Sequence, residues 1–245
     1  MEKNRKAEFF VSFHFGKYRL VPLWLISSGR SVAVVISQEV IEKFAVFYSA
    51  WMKPDSGRPG LFLEKAENPF LGLRIRKYLE DGVDIFVYAD GNSGAKGTGG
   101  PDGLKEQQLL NGCIEIRKGF MELAHLLSAR VRFVLETSGG LQEEPCFQIL
   151  EQFDPNSNRD RSEFVDQALR SLYARFSEFL EESPVNWECL FYLHLSRPPN
   201  SDLNGWSPEH RLMPLSFPSV LDRFSYRIHQ LDGKSHSGLC KFVLD

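Results

Sequence analysis

The stretch Glu8-Phe9-Phe10-Val11-Ser12-Phe13-His14-Phe15-Gly16-Lys17-Tyr18-Arg19 decides the fold class of this 245-residue chain. Residues 9–13 are a short apolar run of the kind that forms a buried β-strand. An amphipathic helix pattern follows from about residue 17 to residue 27. A histidine between a buried strand and a helix lies where open α/β sheets bind their ligands. We therefore expect an α/β fold with His14 at a ligand-binding edge.

Strand-like and helix-like segments alternate along the rest of the chain. The clearest strand is residues 83–89, and the clearest helix begins after Ser162, where apolar residues recur with a period of 3.6. Further strands are predicted at 31–36, 61–63, 131–135 and 147–150, a hairpin at 109–116, and helices at 17–27, 38–52, 69–79 and 120–128. This order predicts a mixed central sheet flanked by helices.

The composition changes near residue 196. The tail is rich in Pro, Ser and Gly, and it carries short strand-like pieces at 224–228 and 239–244. We predict an α/β domain over residues 1–195. A small, β-rich carboxyl-terminal appendage, residues 196–245, is expected to pack on it.

Charge and cysteine content exclude several classes of protein. The net charge is −3 and no basic stripe is visible, so we expect no nucleic-acid partner. The four cysteines, Cys113, Cys146, Cys189 and Cys240, form no C-x-x-C pair, which argues against a metal site and fits a reducing compartment. No apolar run reaches the roughly 18 residues of a membrane span. We expect a cytoplasmic protein, with peripheral contact at the inner membrane as the alternative.

Three predicted strands end in an ionisable residue, namely His14, Asp90 and Glu136. The carboxyl ends of parallel strands meet at one edge of a sheet, so these side chains are candidates for one catalytic site. A histidine with a carboxylate is the minimal general-base pair. The alternatives are that His14 is structural or simply exposed, that Asp90 is an ordinary turn residue before Gly91, and that Glu136 is an ordinary loop residue.

Three basic residues are candidates for substrate binding. Arg19 would lie about one helical turn after His14, where it could bind a phosphate or a carboxylate. Arg117 and Lys118 could provide a second anion contact. The alternatives are a solvated helix residue for Arg19 and an exposed turn for the other two.

Four blocks of the sequence resemble, in order, those of the bacterial lipid A lauroyl/myristoyl acyltransferases. The block at 12–19 is similar to the family's histidine block, in which a Glu follows the histidine by five positions. The blocks at 79–91 and 111–124 resemble its glycine–strand–aspartate and Gly…Leu-Ala segments. Pro184-Val185-Asn186-Trp187-Glu188 resembles its closing Pro-x-x-Trp.

The resemblance implies transfer of a fatty acyl group from an acyl carrier protein or coenzyme A thioester to a hydroxyl or amine acceptor. His14 would correspond to the general base and Asp90 to the aspartate block. The acceptor would be a small molecule or a lipid. The acyl-thioester would be a co-substrate, and no cofactor is expected.

The chain departs from the family at several places. Arg19 occupies the position of the family's carboxylate, and the residues before His14 are too few for its amino-terminal membrane helix. These departures favour a soluble relative that acts on a smaller acceptor in specialised metabolism. An inactive relative that binds an acyl chain or a partner is the alternative, and a third is an unrelated α/β enzyme.

Overall fold

The computed structural model describes most of the first 190 residues and three short strands beyond them. The described residues are 5–52, 58–91, 103–110, 112–138, 143–157, 160–190, 212–214, 219–222 and 227–230. The first strands and helices are β1 (Phe9–Ser12), α1 (Val21–Ser27), β2 (Val32–Ile36), α2 (Gln38–Tyr48), β3 (Leu61–Lys65), α3 (Leu71–Glu80) and β4 (Asp84–Tyr88). They are followed by β5 (Leu104–Leu109), β6 (Gly112–Arg117), α4 (Gly119–Leu126), β7 (Val131–Glu136), β8 (Phe147–Phe153) and α5 (Arg161–Glu182).

A six-stranded mixed sheet in the order β3-β2-β4-β1-β7-β8 forms the centre of the fold. The first five strands of this order are parallel, and β8 runs antiparallel at the edge. The predicted mixed sheet flanked by helices is confirmed. Because β1, β4 and β7 are parallel neighbours, residues that follow them lie at the same edge.

Apolar side chains cover both faces of the sheet. On one face, Phe10 and Phe86 pack in a cluster with Val21 and Leu25 of α1. On the other face, Phe13 stacks on Phe176 of α5, with ring centroids 3.7 Å apart. The apolar run at the start of the chain is therefore buried on both faces, as expected for a central parallel strand.

Several element boundaries differ from the prediction for local reasons. The helix predicted from residue 17 begins as a 3-10 turn, Tyr18–Leu20, and α1 starts at Val21 with a proline in its first turn. Ser37 caps α2. Asp160 caps α5 by accepting the Glu163 N–H at 2.8 Å, so α5 begins at Arg161 and not after Ser162. The hairpin is longer than predicted, since β5 begins at Leu104.

The chain divides into two units, Met1–Leu190 and Phe191–Asp245. In the second unit, β9 (Leu212–Pro214), β10 (Ser219–Asp222) and β11 (Arg227–Gln230) form an antiparallel sheet. The predicted strand at 239–244 lies outside the described residues, as does most of the segment 92–103, whose five glycines predict a surface loop. Among the helices that the structure describes, none combines the length and the apolar character that crossing a bilayer requires.

Candidate active site

His14 and Asp90 form a hydrogen-bonded pair at the carboxyl edge of the sheet. His14 follows β1 and Asp90 follows β4, and these strands pair with Ser12 opposite Tyr88. His14 Nδ1 lies 2.7 Å from Asp90 Oδ1. The Asp90 carboxylate also accepts the backbone N–H of His14, at 3.0 Å from Oδ2. One carboxylate therefore fixes both the ring and the main chain of the histidine, as the parallel-strand argument predicted.

Trp187 completes the surroundings of Asp90. Its indole Nε1 donates to Asp90 Oδ2 at 2.6 Å, and the side chain is buried. The segment that carries it is tied to the strand end, because the Glu188 N–H donates to the His14 carbonyl at 2.9 Å. Trp187 therefore restricts Asp90 to the orientation that faces the imidazole.

Charge and burial shift the pKa values of His14 and Asp90 in opposite directions. Burial lowers the pKa of His14, but the charge and hydrogen bond of Asp90, helped by the charge of Glu188, more than compensate, so this pKa is raised. Burial raises the pKa of Asp90, but His14 and the Trp187 N–H outweigh it, so that pKa is lowered. Asp90 is therefore a carboxylate at neutral pH, and it favours the Nδ1–H tautomer of the neutral ring. Nε2 is then the basic nitrogen of His14.

Two tyrosines hold the imidazole ring in place. Tyr88 stacks on it with centroids 4.3 Å apart, and Tyr18 meets it edge-on at 4.8 Å. The Tyr88 hydroxyl donates to the Tyr18 carbonyl at 3.3 Å. His14 is thus confined between two rings, with its Nδ1 directed at Asp90.

Glu136 lies at the same edge but serves the main chain of the next turn. Its carboxylate accepts the N–H groups of Lys17 at 3.2 Å and Ser138 at 3.0 Å. Gly16, with φ of +59°, leaves room for it: a Cβ there would be 2.2 Å from Glu136 Oε2. No hydrogen bond joins Glu136 to His14 among the described residues. The catalytic role predicted for Glu136 stays a prediction, and its contacts position the turn after His14.

Arg19 pairs with a carboxylate that lies far away in the sequence. Its Nη2 lies 3.2 Å from Glu188 Oε2, and both side chains are about half exposed. The Tyr18 hydroxyl donates to the same Glu188 carboxylate. The charge of Arg19 opposes the raised pKa of His14, but it is the smallest contribution. Arg19 therefore contacts Glu188, and the carboxylate that contacts the His14 ring is Asp90.

Arg117 and Lys118 differ in what they contact. Arg117 lines the same groove as His14 and Arg19. Within the part of the chain that the structure describes, its guanidinium has no carboxylate partner. Lys118 pairs with Glu122 one turn further along the chain, at 3.2 Å. Of the two predicted anion contacts, the structure brings Arg117 to the histidine's groove.

An apolar groove of about 980 Å³ extends from His14 along the carboxyl edge of the sheet. Its walls come from the ends of β2 and β4 and from helices α2, α3 and α4. The apolar lining includes Val34, Val40, Leu71, Ile75, Phe120 and Leu123. The polar lining includes the cations Arg19, Lys43 and Arg117, the carboxylates Glu122 and Glu188, and His14, Tyr18, Ser37 and Asn68. Such a groove suits a long apolar substrate that ends in a polar or charged group.

Cys189 lies beside the His14–Asp90 pair, so three residues that could ligate a metal are close together. Ligand atoms of His14, Asp90 and Cys189 lie within 4.8 Å of one another. However, Nδ1 and both Asp90 oxygens already take part in hydrogen bonds. Burial, with the nearby Asp90 charge, raises the pKa of the thiol, which opposes the thiolate that a metal or a nucleophile needs. The sulfur also approaches Nδ1, at 3.7 Å, and not the basic Nε2. A hydrogen-bonded His–Asp pair accounts for these contacts better than a metal site.

No pattern in the sequence assigns a role to Tyr18, Tyr88, Trp187, Glu188 or Cys189. Trp187 and Glu188 belong to the segment that resembles Pro-x-x-Trp, so that segment did carry a signal. The two tyrosines flank the predicted strand ends without any local feature that distinguishes them.

The chain matches no family model and no curated protein sequence.

Proposed function

We propose that the protein is an acyltransferase that moves a fatty acyl group from an acyl carrier protein or coenzyme A thioester to a hydroxyl or amine acceptor. The observation that supports this most is the His14–Asp90 pair, joined at 2.7 Å, at the end of an apolar groove of about 980 Å³. The groove would hold the acyl chain with its carbonyl near His14. A cytoplasmic location, where acyl-thioester donors occur, completes the proposal.

His14 acts as general base through Nε2. It takes the proton from the acceptor hydroxyl while the acceptor oxygen attacks the thioester carbonyl. Asp90 stabilises the imidazolium that forms. When the tetrahedral intermediate collapses, the new carbon–oxygen bond remains and the carbon–sulfur bond breaks. The departing sulfur receives the proton from the imidazolium, so the products are an ester and a free thiol, and His14 is neutral again.

The cations of the groove bind the phosphate of the acyl-thioester donor. Both donor classes carry phosphate groups, and arginine is well suited to binding phosphate. Arg117 and Arg19 line the same groove as His14, and Glu188 pairs with the Arg19 side chain. We assign the donor's phosphate to these two arginines, with Arg117 as the stronger contact because it has no carboxylate partner among the described residues.

A transfer assay tests the proposal. The purified protein is incubated with acyl-coenzyme A or acyl–acyl carrier protein of several chain lengths and with hydroxyl and amine acceptors, and product is measured by mass spectrometry. Wild type should form ester or amide well above the level of His14→Ala. Acyl-chain binding without any product above that level would instead support the alternative, a catalytically inactive acyl-binding protein.

A further inference from the structure

A second charged site lies at the opposite, amino-terminal edge of the sheet. Glu8 directly precedes β1 and Asp84 begins β4, and both are buried, with exposed fractions of 5% and 0%. The same two strands end at His14 and Asp90. A strand advances about 3.3 Å per residue, so the two edges are about 20 Å apart. This site is therefore separate from the groove that contains His14.

Three arginines neutralise the two buried carboxylates. Arg5 binds both oxygens of Asp84, at 3.1 and 2.7 Å. Arg132 binds both oxygens of Glu8, at 2.9 and 3.0 Å. Arg30 bridges the two acids, at 3.1 Å from Asp84 and 3.4 Å from Glu8. The three positive charges of these arginines already exceed the two negative charges of the buried carboxylates.

Two further cations face the same site with weaker contacts. Arg130 donates to Glu8 at 3.4 Å and pairs with Asp154 at 3.7 Å. Its Nε is buried and has no hydrogen-bond partner among the described residues. Lys6 donates to the carbonyl of Ser128 at 3.2 Å. A buried N–H donor without a partner is costly, so an acceptor is expected at this place.

The site is concave and has an excess of positive charge. A cavity of about 340 Å³ is lined by Lys6, Glu8, Arg130, Arg132 and Asn156, among others, and Asp84 lies behind it, paired with Arg5 and Arg30. Among the described residues, five cations, Arg5, Lys6, Arg30, Arg130 and Arg132, surround three carboxylates, Glu8, Asp84 and Asp154. The excess of two positive charges matches the charge of a phosphate monoester near neutral pH.

We infer that this cavity binds a phosphate monoester, held by Arg130 and Lys6. The Arg130 guanidinium donates to the phosphate oxygens, and the Lys6 ammonium adds a second charge. The group belongs either to a small soluble metabolite or to a lipid headgroup. The inference does not depend on the proposed acyl transfer, because none of its residues lines the groove at His14.

Binding measurements on the full chain test this inference. Inorganic phosphate is titrated by calorimetry at pH 7.5 and at constant ionic strength, with chloride as the comparison anion. Vesicles of phosphatidylcholine with and without phosphatidic acid are tested by cosedimentation. The variants are Arg130→Gln and Lys6→Gln. Arg76→Gln is the matched control, since Arg76 is an exposed arginine paired with Glu80 at 2.8 Å on α3.

We expect phosphate, or phosphatidic acid vesicles, to bind to wild type and to Arg76→Gln alike. Arg130→Gln should weaken this binding about tenfold or more, as loss of charge-assisted hydrogen bonds does, and Lys6→Gln should weaken it in the same direction. Binding of inorganic phosphate identifies a soluble ligand, and binding to vesicles alone identifies a lipid headgroup. The melting temperature of each variant shows that it is folded. Binding no stronger than that of chloride, or equal affinity in all three variants, overturns the inference.

Discussion

His14 and Asp90 lie 76 residues apart in the sequence, yet His14 Nδ1 and Asp90 Oδ1 are 2.7 Å apart. The cause is the parallel pairing of β1 with β4, which places Ser12 beside Tyr88 and so brings the next residues of both strands together. A buried tryptophan N–H holds the second carboxylate oxygen. The pair is therefore a product of sheet topology and does not require a carboxylate in the helix that follows the histidine.

Replacing Asp90 by Asn should lower the pKa of His14, because burial then acts without the opposing carboxylate. The rate of transfer should fall by about 10²-fold or more, since the imidazolium loses its stabilising charge. The pKa of His14 can be followed by NMR and the rate by the transfer assay. An unchanged pKa in Asp90→Asn would show that the hydrogen bond does not govern the titration of His14.

The pair should also make folding stability depend on pH. The pKa of His14 is raised above 6.5, so its contribution is fully present below that pH and is lost as the pH rises through the folded-state value. The pKa of Asp90 is lowered below 3.8, so its contribution is present above that pH and is lost only in more acidic solution. Asp90→Asn should therefore destabilise the protein more at pH 5 than at pH 8.5, as measured by urea denaturation. The exposed carboxylate variant Glu80→Gln is the control, and a loss that grows toward pH 8.5 would contradict the account.

Gly16 offers a test of how Glu136 positions the turn after His14. Gly16 and Gly29 both have positive φ, +59° and +84°, but only at Gly16 would a Cβ meet Glu136. Both alanine variants should lose about 1 kcal/mol or more from the backbone conformation. Gly16→Ala should lose a further 1 kcal/mol or more, because the buried carboxylate must leave the Lys17 N–H. Equal losses in the two variants would mean that the Glu136 contact is not important for the turn.

Arg117 tests the assignment of the donor's phosphate. Arg117→Gln should raise the KM for the acyl-thioester donor about tenfold while kcat changes little, because the contact is made before and during the reaction alike. Arg175→Gln, which removes an exposed arginine of α5, should leave both constants unchanged. A drop in kcat with unchanged KM would instead place Arg117 at the reacting atoms.

The residues at the carboxyl edge of the sheet could be predicted because the sequence signal for a strand end is local. An apolar run followed by a polar residue indicates a strand end, and parallel strands then bring His14 and Asp90 to one place. The same rule places Glu136 there as well, but it does not give the direction of the side chain. Gly16, which leaves space for the Glu136 carboxylate, decides that direction, and this depends on a backbone angle that the sequence does not reveal.

Contacts that join distant segments could not be predicted. Trp187 lies 97 residues from Asp90 and reaches it through a turn that pairs with Phe15 by a single β-bridge. No periodicity or capping signal connects these segments, because they meet only in the folded structure, where Phe176 of α5 contacts Trp187. The pairing of Arg19 with Glu188 depends on the same return of the chain, so the sequence showed the cation but not its partner.

A rate comparison between two histidine variants shows whether His14 removes the proton of the acceptor. His14→Ala and His125→Ala, the latter on α4, are compared with wild type in the transfer assay, with folding checked by circular dichroism. We expect His14→Ala to lose at least about 10²-fold in kcat while His125→Ala keeps the wild-type rate. Acyl transfer by His14→Ala at the wild-type rate would rule out His14 as the base.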